Sequence, residues 1–206
     1  MNKDKTFYKN MEQFAEQNNV PIIMENSLVW LAHFFADKKI TNILEIGSAI
    51  GYSALQFNRL TGAAIVGVER DETRHAKALE NTALTDDVTI FLDDAQSDAF
   101  FKEAANKAPY DILFIDATKR QNQLFFEKFA PLVKPGGYII TDNLAFHGLA
   151  KTEAEIANLH RRIRPMIRSI IAYSEWLETL DGYTTDFIDV GDKLAITKKI
   201  ERAELT

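Results

Sequence analysis

Apolar and polar positions along the 206-residue chain follow two different periods. In the first 40 residues the apolar side chains recur at helical spacing, which predicts helices over 6–18 and about 25–38. From Asn42 onward the pattern changes to short apolar runs separated by amphipathic segments. This alternation predicts an α/β fold, in which a mainly parallel sheet is covered by helices on both faces.

The later part of the chain predicts how the sheet is completed. A long helix is expected over about 152–178, followed by a hairpin whose strands flank the turn Gly191-Asp192. The expected architecture is a Rossmann-like, doubly wound sheet of seven strands with an antiparallel last strand, plus N-terminal helices. We expect one domain, with residues 1–40 as a helical cap and 41–200 as the core. The predicted strands are 43–46, 63–68, 88–92, 112–115, 138–140, 184–190 and 194–197, and the helices between them are 51–60, 72–82, 97–106 and 119–132.

Composition narrows the protein class only modestly. Hydrophobic residues make up 46% of the chain and charged residues 26%, which is ordinary for a soluble globular protein. There is no cysteine, no secretory signal is expected in the polar N-terminus, and no long apolar run is present, so a cytoplasmic location is expected. The net charge of -6 argues against indiscriminate nucleic-acid binding but leaves room for a local basic patch.

A glycine-containing loop follows the first predicted strand of the core. The segment LEIGSAIGYS places Gly47 and Gly51 where the backbone can approach a ligand closely. The next strand ends in Glu69, where a carboxylate can accept ribose hydroxyls, and the third is followed by Asp94, which can reach an adenine. The pyrophosphate fingerprint G-x-G-x-x-G is absent, so a nucleoside without phosphates, such as S-adenosylmethionine, is favoured. The alternative is that the glycines only shape a loop and Glu69 caps a helix.

Two further strands end in oxygen-bearing side chains. DILFIDATKR ends its apolar run at Asp116, and GYIITDN ends at Asp142 and Asn143. Three oxygen ligands without cysteine or histidine favour a hard cation such as Mg²⁺. Next to such a cation Lys119 would give up its proton more readily and could act as general base. The alternative is that Asp116 caps the following helix and the Asp142-Asn143 pair forms a turn.

Taken together, these motifs resemble the class I, metal-dependent O-methyltransferases of the catechol and caffeoyl-CoA type. The similarity covers about residues 20–200 and is most specific in DxxK followed by DN. It implies that Asp116, Asp142 and Asn143 bind the metal and that Lys119, with Asp116, is catalytic. It also implies cofactor contacts from Met24, Glu45, Gly47, Ser53, Glu69, Asp94, Ala95 and Asp116.

One bacterial branch of that family looks more similar still, namely the tRNA 5-hydroxyuridine methyltransferases. The segments that carry this resemblance are VPIIMENS, TDNLAFHGL, NLHRRIRPMIRSI and DVGDKLAITKK. In the last of them Lys193 stands where the small-molecule enzymes usually have glycine. The resemblance implies methylation of the 5-hydroxyl of the wobble uridine to give 5-methoxyuridine. The vicinal 5-hydroxyl and 4-carbonyl oxygens of this base could chelate a metal as a catechol does.

A basic segment stands out in this acidic chain. If it lies on one helix, Arg161, Arg164 and Arg168 share a face, although Pro165 could interrupt that helix. The cluster could bind RNA phosphates, or the arginines could pair with nearby Glu153, Glu155 and Glu175 or with a second subunit. The candidate RNA contacts are Arg161, Arg162, Arg164 and Arg168 with His160 beside them, and Phe146 and His147 for stacking on the base.

Other functions stay open from the sequence. The first alternative is an O-methyltransferase of small catechol-like or phenylpropanoid substrates, which would not need the arginines. A nucleoside- or RNA-binding module without catalysis is a second, and a nicotinamide oxidoreductase is the least favoured because its glycine fingerprint is absent. Aromatic residues of the N-terminal helices are expected mainly in the core, and some could form a homodimer interface.

Overall fold

The computed structural model describes residues 2–144 and 153–201. In this part of the chain seven strands form one sheet in the order β3-β2-β1-β4-β5-β7-β6. The pairs among β1 to β5 are parallel, whereas β7 runs antiparallel to both β5 and β6. The predicted α/β sheet with an antiparallel last strand is therefore confirmed. The strands are β1 Asn42–Ile46, β2 Ala64–Glu69, β3 Val88–Leu92, β4 Tyr110–Ile115, β5 Val133–Thr141, β6 Tyr183–Ile188 and β7 Leu194–Lys199.

Helices cover both faces of this sheet. Two of them begin at residues whose side chains cap the helix: Asp71 accepts from the Arg74 N–H, and Ser97 accepts from the Phe100 N–H. The helices are α1 Asn2–Gln17, α2 Glu25–Phe35, α3 Tyr52–Thr61, α4 Glu72–Thr82, α5 Asp98–Asn106, α6 Asn122–Phe129, α7 Glu153–Asn158 and α8 Arg164–Glu178, with 3₁₀ turns at Lys119–Gln121 and Ala130–Leu132.

The central strands are buried on both faces, which explains their nearly continuous apolar sequence. Successive residues of a strand point to opposite faces, so Ile43 and Leu44 belong to two different core clusters. One cluster contains Phe57 of α3, and the other contains Phe100 of α5 and Ile170 of α8. Each fully buried side chain of this size contributes about 1.5–3 kcal/mol.

The predicted long helix over 152–178 is wrong in one respect, because the described part of it forms two helices. α7 ends at Asn158 and α8 begins at Arg164, with Pro165 in the first turn of α8. Proline fits the first turn of a helix, where its missing N–H leaves no bond unmade, but it cannot continue a helix that is already formed. Residues 159–163 therefore connect two helices and lie outside both.

Several element bounds differ from the prediction by a few residues, and two elements differ more widely. β5 has nine residues instead of three, since it extends back through Pro135 and Gly136 to Val133. Gly136 adopts a φ of 75°, and the register with β4 shifts between Tyr110 and Ile112. This irregularity is what lets a Pro-Gly segment continue a strand. The predicted helix 119–132 is reduced to α6, with 3₁₀ turns at either end.

The N-terminal helices pack onto the core as predicted. The Tyr52 hydroxyl at the start of α3 donates to Glu12 of α1 at 2.6 Å, and the Tyr8 hydroxyl donates to the carbonyl of Leu55 at 3.2 Å.

Among residues 2–144 and 153–201, no helix is both long enough and apolar enough to cross a membrane.

Candidate active site

The loop after β1 is pressed against the end of β4. Gly47 adopts a φ of 96°, and a Cβ atom there would lie 2.5 Å from the backbone oxygen of Asp116. Only glycine fits this position, because both the backbone conformation and the space exclude a side chain. The backbone N–H groups of Gly47 and Ser48 donate to the carbonyl of Val68 at 3.1 and 3.0 Å, which ties the loop to β2.

Glu69 is fixed in place at the end of β2. Its two carboxylate oxygens accept from the backbone N–H of Ala49 at 2.9 Å and from that of Asp71 at 2.8 Å. At the end of β3, Asp94 accepts from the Gln96 N–H at 2.8 Å, in the local turn typical of aspartate. These contacts orient the acidic side chains before any ligand arrives. We call the set Gly47, Glu69, Asp94 and Ala95 the β1–β3 group.

A second set of polar side chains lies at the ends of β4 and β5. Asn143 donates from Nδ2 to Oδ1 of Asp116 at 2.9 Å, and Lys119 Nζ lies 3.5 Å from the same oxygen. Asp142 is buried, with 3% of its surface exposed, and accepts from the Asn143 N–H at 2.6 Å. The sequence-predicted residues Asp116, Lys119, Asp142 and Asn143 are thus brought together, and we call them the β4–β5 group.

The β4–β5 group carries negative charge that is only partly balanced. Burial, and then the nearby Asp116 carboxylate, raise the pKa of Asp142 to about 7, against the opposing effects of the Asn143 N–H and of Lys119. A cation beside these carboxylates would relieve this repulsion. Within residues 2–144 and 153–201, no group of three or more His, Cys, Asp or Glu residues is arranged to hold a metal ion. A metal here would have two carboxylates and one amide oxygen, a donor set that suits a hard cation with water in its other positions.

The alternative roles proposed for these residues from the sequence are not what the fold shows. Thr118, not Asp116, occupies the N-cap position of the 3₁₀ turn Lys119–Gln121. Asn143 does adopt a turn-like conformation, with a φ of 68°, but its side chain is directed to Asp116 across the strand ends. A left-handed backbone at a residue other than glycine is often found at a functional site.

Glu45, on β1, is fully buried between the two groups. Burial raises its pKa to about 7, the hydroxyls of Ser48 and Ser53 oppose this shift, and the carboxylates of Asp116 and Glu69 add to it. Neither carboxylate oxygen of Glu45 has a hydrogen-bond partner of ordinary geometry among the described residues. A buried carboxylate that lacks well-formed hydrogen bonds is costly, so a cationic group bound in the nearby cleft would stabilise its ionised form.

One cleft of about 340 Å³ connects the two groups. Four of the predicted cofactor and metal residues do not line it: Met24 is 45% exposed at the start of α2, and Glu45, Ser53 and Asp142 are buried. Their assignments as cofactor or metal contacts stay predictions. The predicted residues that do line the cleft are Gly47, Glu69, Asp94, Ala95, Asp116, Lys119 and Asn143.

Several residues of the cleft were not predicted from the sequence. Ala49 acts through its backbone N–H, which leaves no trace in the side-chain pattern. Arg70 and Arg74 line the cleft beside Glu69, and the sequence VERD contained the signal for the first of them. Gly67 of β2 does not line the cleft, but it leaves room for the loop after β1, because a Cβ atom there would lie 2.2 Å from the Ser48 hydroxyl.

The arginines of the basic segment play different structural roles. Arg161 and Arg162 are exposed between α7 and α8, and Arg168 is exposed on α8. The guanidinium of Arg164 donates to the carbonyls of Leu159 at 2.9 Å and Ala157 at 2.7 Å, so it binds the C-terminal end of α7. The prediction that Arg161, Arg164 and Arg168 share a helical face is wrong, because Arg161 lies outside α8. Phe146 and His147 lie outside the described residues.

Comparisons with known proteins identify relatives along nearly the whole chain. A family model described as O-methyltransferase matches residues 5–200. A Staphylococcus aureus protein provisionally named as a caffeoyl-CoA O-methyltransferase is 36% identical, with a TM-score of 0.85 over 93% of this chain and 91% of its own. The Arabidopsis thaliana protein "Tapetum-specific methyltransferase 1" is 29% identical over 168 residues, which are 77% of this chain and 70% of that protein.

A more distant structure shares the fold. The O-methyltransferase from Bacillus cereus, crystallised in complex with SAH, is 23% identical, with a TM-score of 0.76 over 94% of this chain and 90% of its own.

Proposed function

The chain belongs to the O-methyltransferase family, and we propose that it methylates the 5-hydroxyl of 5-hydroxyuridine at the wobble position of tRNA, using S-adenosylmethionine and a divalent cation. The product is 5-methoxyuridine. The observation that carries this proposal is the single cleft that joins the β1–β3 group to the β4–β5 group. A cleft lined in this way can hold a nucleoside cofactor and an oxygen nucleophile next to each other.

The β1–β3 group supplies the cofactor contacts of the proposal. Glu69, already oriented by two backbone N–H groups, would accept the ribose hydroxyls, and Asp94 with Ala95 would contact the adenine. The buried carboxylate of Glu45 would attract the cofactor's amino group. No pyrophosphate-binding loop is needed, because this cofactor carries no phosphate.

The β4–β5 group supplies the metal contacts. Asp116, Asp142 and Asn143 would hold a cation such as Mg²⁺, with the Asn143 amide presenting its oxygen. The raised pKa of Asp142 supports this assignment, since a buried carboxylate beside another carboxylate is stabilised by a cation. Such a cation supplies Lewis acidity, which favours ionisation of a bound hydroxyl at neutral pH.

Lys119 is the proposed general base. In its neutral form Nζ would take the proton of the 5-hydroxyl as that oxygen attacks the methyl carbon of the cofactor. The new carbon–oxygen bond forms while the carbon–sulfur bond breaks, and the sulfonium becomes a neutral thioether. Lys119 lies 3.5 Å from Asp116 Oδ1, at the edge of the cleft where the acceptor would bind.

The exposed arginines support RNA as the substrate. α8 packs against the 3₁₀ turn that carries Lys119, and the loop with Arg161 and Arg162 directly precedes α8. Arg161 and Arg162 are exposed in that loop and could bind the phosphates of an anticodon loop. Arg164 contributes less to this proposal than its neighbours, because its guanidinium is used to bind α7.

A small catechol-like acceptor is the second candidate. It is favoured by the provisional name of the 36% identical Staphylococcus aureus protein, a caffeoyl-CoA O-methyltransferase. The metal chemistry would be the same, since a catechol presents two vicinal oxygens as 5-hydroxyuridine does. The arginine loop would then have no part in catalysis.

A methyl-transfer assay separates the two candidates. The protein is incubated with S-adenosylmethionine, Mg²⁺ and tRNA that carries 5-hydroxyuridine, and the nucleosides are analysed by mass spectrometry, with a simple catechol assayed in parallel. We expect 5-methoxyuridine in the tRNA and little methylated catechol. Methylated catechol together with unchanged tRNA would instead establish the second candidate.

Three control experiments test the metal, the exposed arginines and the role of Arg164 separately. EDTA or Asp142→Ala should abolish turnover and leave cofactor binding intact; full turnover in EDTA would exclude the metal. Arg161→Ala/Arg162→Ala should reduce the slope of log affinity for tRNA against log salt by about one per lost phosphate contact. Arg164→Ala, which also removes a positive charge but from a guanidinium bonded to α7, should change stability more than the salt slope. An unchanged slope in the double variant would reject the arginine contacts.

A further inference from the structure

The turn between β6 and β7, formed by residues 189–193, reaches two parts of the molecule that are far apart in sequence. The carbonyl of Lys193 accepts a hydrogen bond from the backbone N–H of Leu144 at 3.0 Å. Leu144 is buried and directly follows Asn143 of the β4–β5 group. The position of the turn therefore bears directly on the residue next to a proposed metal ligand.

Two residues at this junction, one in the turn and one directly before Leu144, have unusual backbone conformations. Asn143 adopts a φ of 68° and Lys193 a φ of 65°, although neither is glycine. Such conformations persist only where surrounding contacts hold them. The hydrogen bond from Leu144 to Lys193 is such a contact, and within the turn Lys193 also donates its own N–H to the carbonyl of Val190 at 2.9 Å.

The other side of the turn packs against the start of α2. A Cβ atom at Gly191 would lie 2.1 Å from the hydroxyl of Ser27 and 3.2 Å from Oδ1 of Asn26. Ser27 is fully buried, and its hydroxyl has no hydrogen-bond partner within residues 2–144 and 153–201. Ser27 thus sets the position of the turn by contact alone.

We propose that the 189–193 turn is a positioning element, which is seated on α2 through Gly191 and Ser27 and holds Asn143 in its left-handed conformation through the Lys193 carbonyl. The effect of the turn on activity rests on the proposed metal-assisted reaction. The positioning of Asn143 by the turn does not rest on that reaction, because it depends only on contacts of the folded chain. Gly191 and Ser27 do not line the cleft, so their effect on the site is indirect.

Amide hydrogen exchange tests the positioning directly. Gly191→Ala would place a methyl group against the Ser27 hydroxyl, displace the turn and weaken the hydrogen bond of Leu144. We expect the Leu144 amide to exchange about tenfold faster or more, since exchange reports local opening. We also expect Mn²⁺, as a probe of the β4–β5 group, to bind about 10–100-fold more weakly, as when a supporting contact of a metal ligand is lost.

The same hairpin offers a matched control and a rescue. Gly182 adopts a φ of 79°, but a Cβ atom there would meet nothing within 4 Å, so Gly182→Ala imposes the backbone strain without the collision. This variant should leave Leu144 exchange unchanged. Ser27→Ala removes the hydroxyl, which has no partner to lose, and combined with Gly191→Ala it should restore slow exchange and Mn²⁺ affinity. Ser27→Thr, which presses on the turn from the α2 side, serves if Gly191→Ala does not fold.

The outcomes separate this inference from the proposed function. Unchanged Leu144 exchange in Gly191→Ala, or no recovery in the double variant, would overturn the positioning role. Faster exchange that is rescued, in a protein that binds no Mn²⁺ at all, would keep the positioning role and remove the metal from the proposed reaction.

Discussion

The two polar groups of the cleft differ in how far the protein itself satisfies them. In the β1–β3 group, both oxygens of Glu69 accept backbone N–H groups, at 2.9 and 2.8 Å. In the β4–β5 group, the pKa of Asp142 is raised to about 7 by burial and by the neighbouring Asp116. The folded chain therefore satisfies the Glu69 carboxylate of the first group with its own N–H groups, whereas the second group has excess negative charge that a bound cation could neutralise.

This difference indicates different tasks for the two groups. Carboxylates that the folded chain already orients can bind the neutral hydroxyl groups of a ligand while losing little conformational entropy. Carboxylates that repel each other are destabilising until a cation arrives, and they then bind it strongly. Changes in the β1–β3 group should therefore affect cofactor affinity, and changes in the β4–β5 group should affect the chemical step.

The largest effect is expected at Lys119. Lys119→Met keeps an unbranched side chain one atom shorter and removes the proposed general base, so kcat should fall by about 10²–10⁴-fold while the cofactor Kd stays the same. The measurement is steady-state methyl transfer beside a cofactor titration. Arg120→Gln is the matched control, because Arg120 is exposed on the same 3₁₀ turn and does not line the cleft. Normal turnover by Lys119→Met would show that another group takes the proton.

Glu45 lies between the groups and should link stability to pH. Its pKa is raised from 4.5 to about 7, so the folded state holds a proton there that the unfolded state has lost. The corresponding stability is present below pH 4.5 and is lost as the pH rises to about 7. Glu45→Gln removes this dependence. Relative to the parent protein, the variant should gain on the order of 3 kcal/mol in unfolding free energy between pH 4.5 and pH 8.

Urea unfolding of the cofactor-free protein at several pH values measures this difference. Gln is uncharged at every pH, so the comparison isolates the carboxylate and not its shape. A difference in unfolding free energy that does not change with pH would mean that the pKa of Glu45 is the same in the folded and unfolded states, so that burial does not raise it.

Most of the fold was predictable because it depends on local patterns. β1 and β3 have nearly the bounds expected from their apolar runs, since a buried parallel strand needs apolar residues on both faces. β5 was predicted too short because Pro135 and Gly136 are typical of a turn, and only the partner strand shows that they continue a strand. Pro165 did indicate an interrupted helix, but the role of Arg164 at the end of α7 depends on the angle between two helices.

The site was predictable as far as it uses side chains at strand ends. Asp116, Lys119 and Asn143 were found because their chemistry and spacing are visible in the sequence, and the fold brings Lys119 and Asn143 within hydrogen-bonding reach of Asp116. Ala49 was missed because it contributes a backbone N–H. The contact of Gly191 with Ser27 was missed because it joins a turn to the first turn of α2, about 160 residues away in sequence, which no local pattern records.

The smallest effect is expected at Glu69, and it should appear in affinity and not in rate. Glu69→Gln keeps one carboxamide oxygen that can accept from the Ala49 N–H of the loop, but it removes the negative charge. The Kd for S-adenosylmethionine should therefore rise about 10–100-fold, which corresponds to the loss of a hydrogen bond to a charged group. At saturating cofactor kcat should change little. Glu72→Gln, an exposed change at the start of α4, is the control.

A cofactor analogue without the ribose 2′-hydroxyl tests whether Glu69 contacts that group. The parent protein should bind this analogue more weakly than S-adenosylmethionine, and Glu69→Gln should bind the two almost equally, because the variant has already lost the contact. If the variant still discriminates between them as strongly as the parent does, Glu69 does not bind the ribose. Its two backbone hydrogen bonds would then be its whole role, and the β1–β3 group would owe its cofactor affinity to the shape of the Gly47 loop instead.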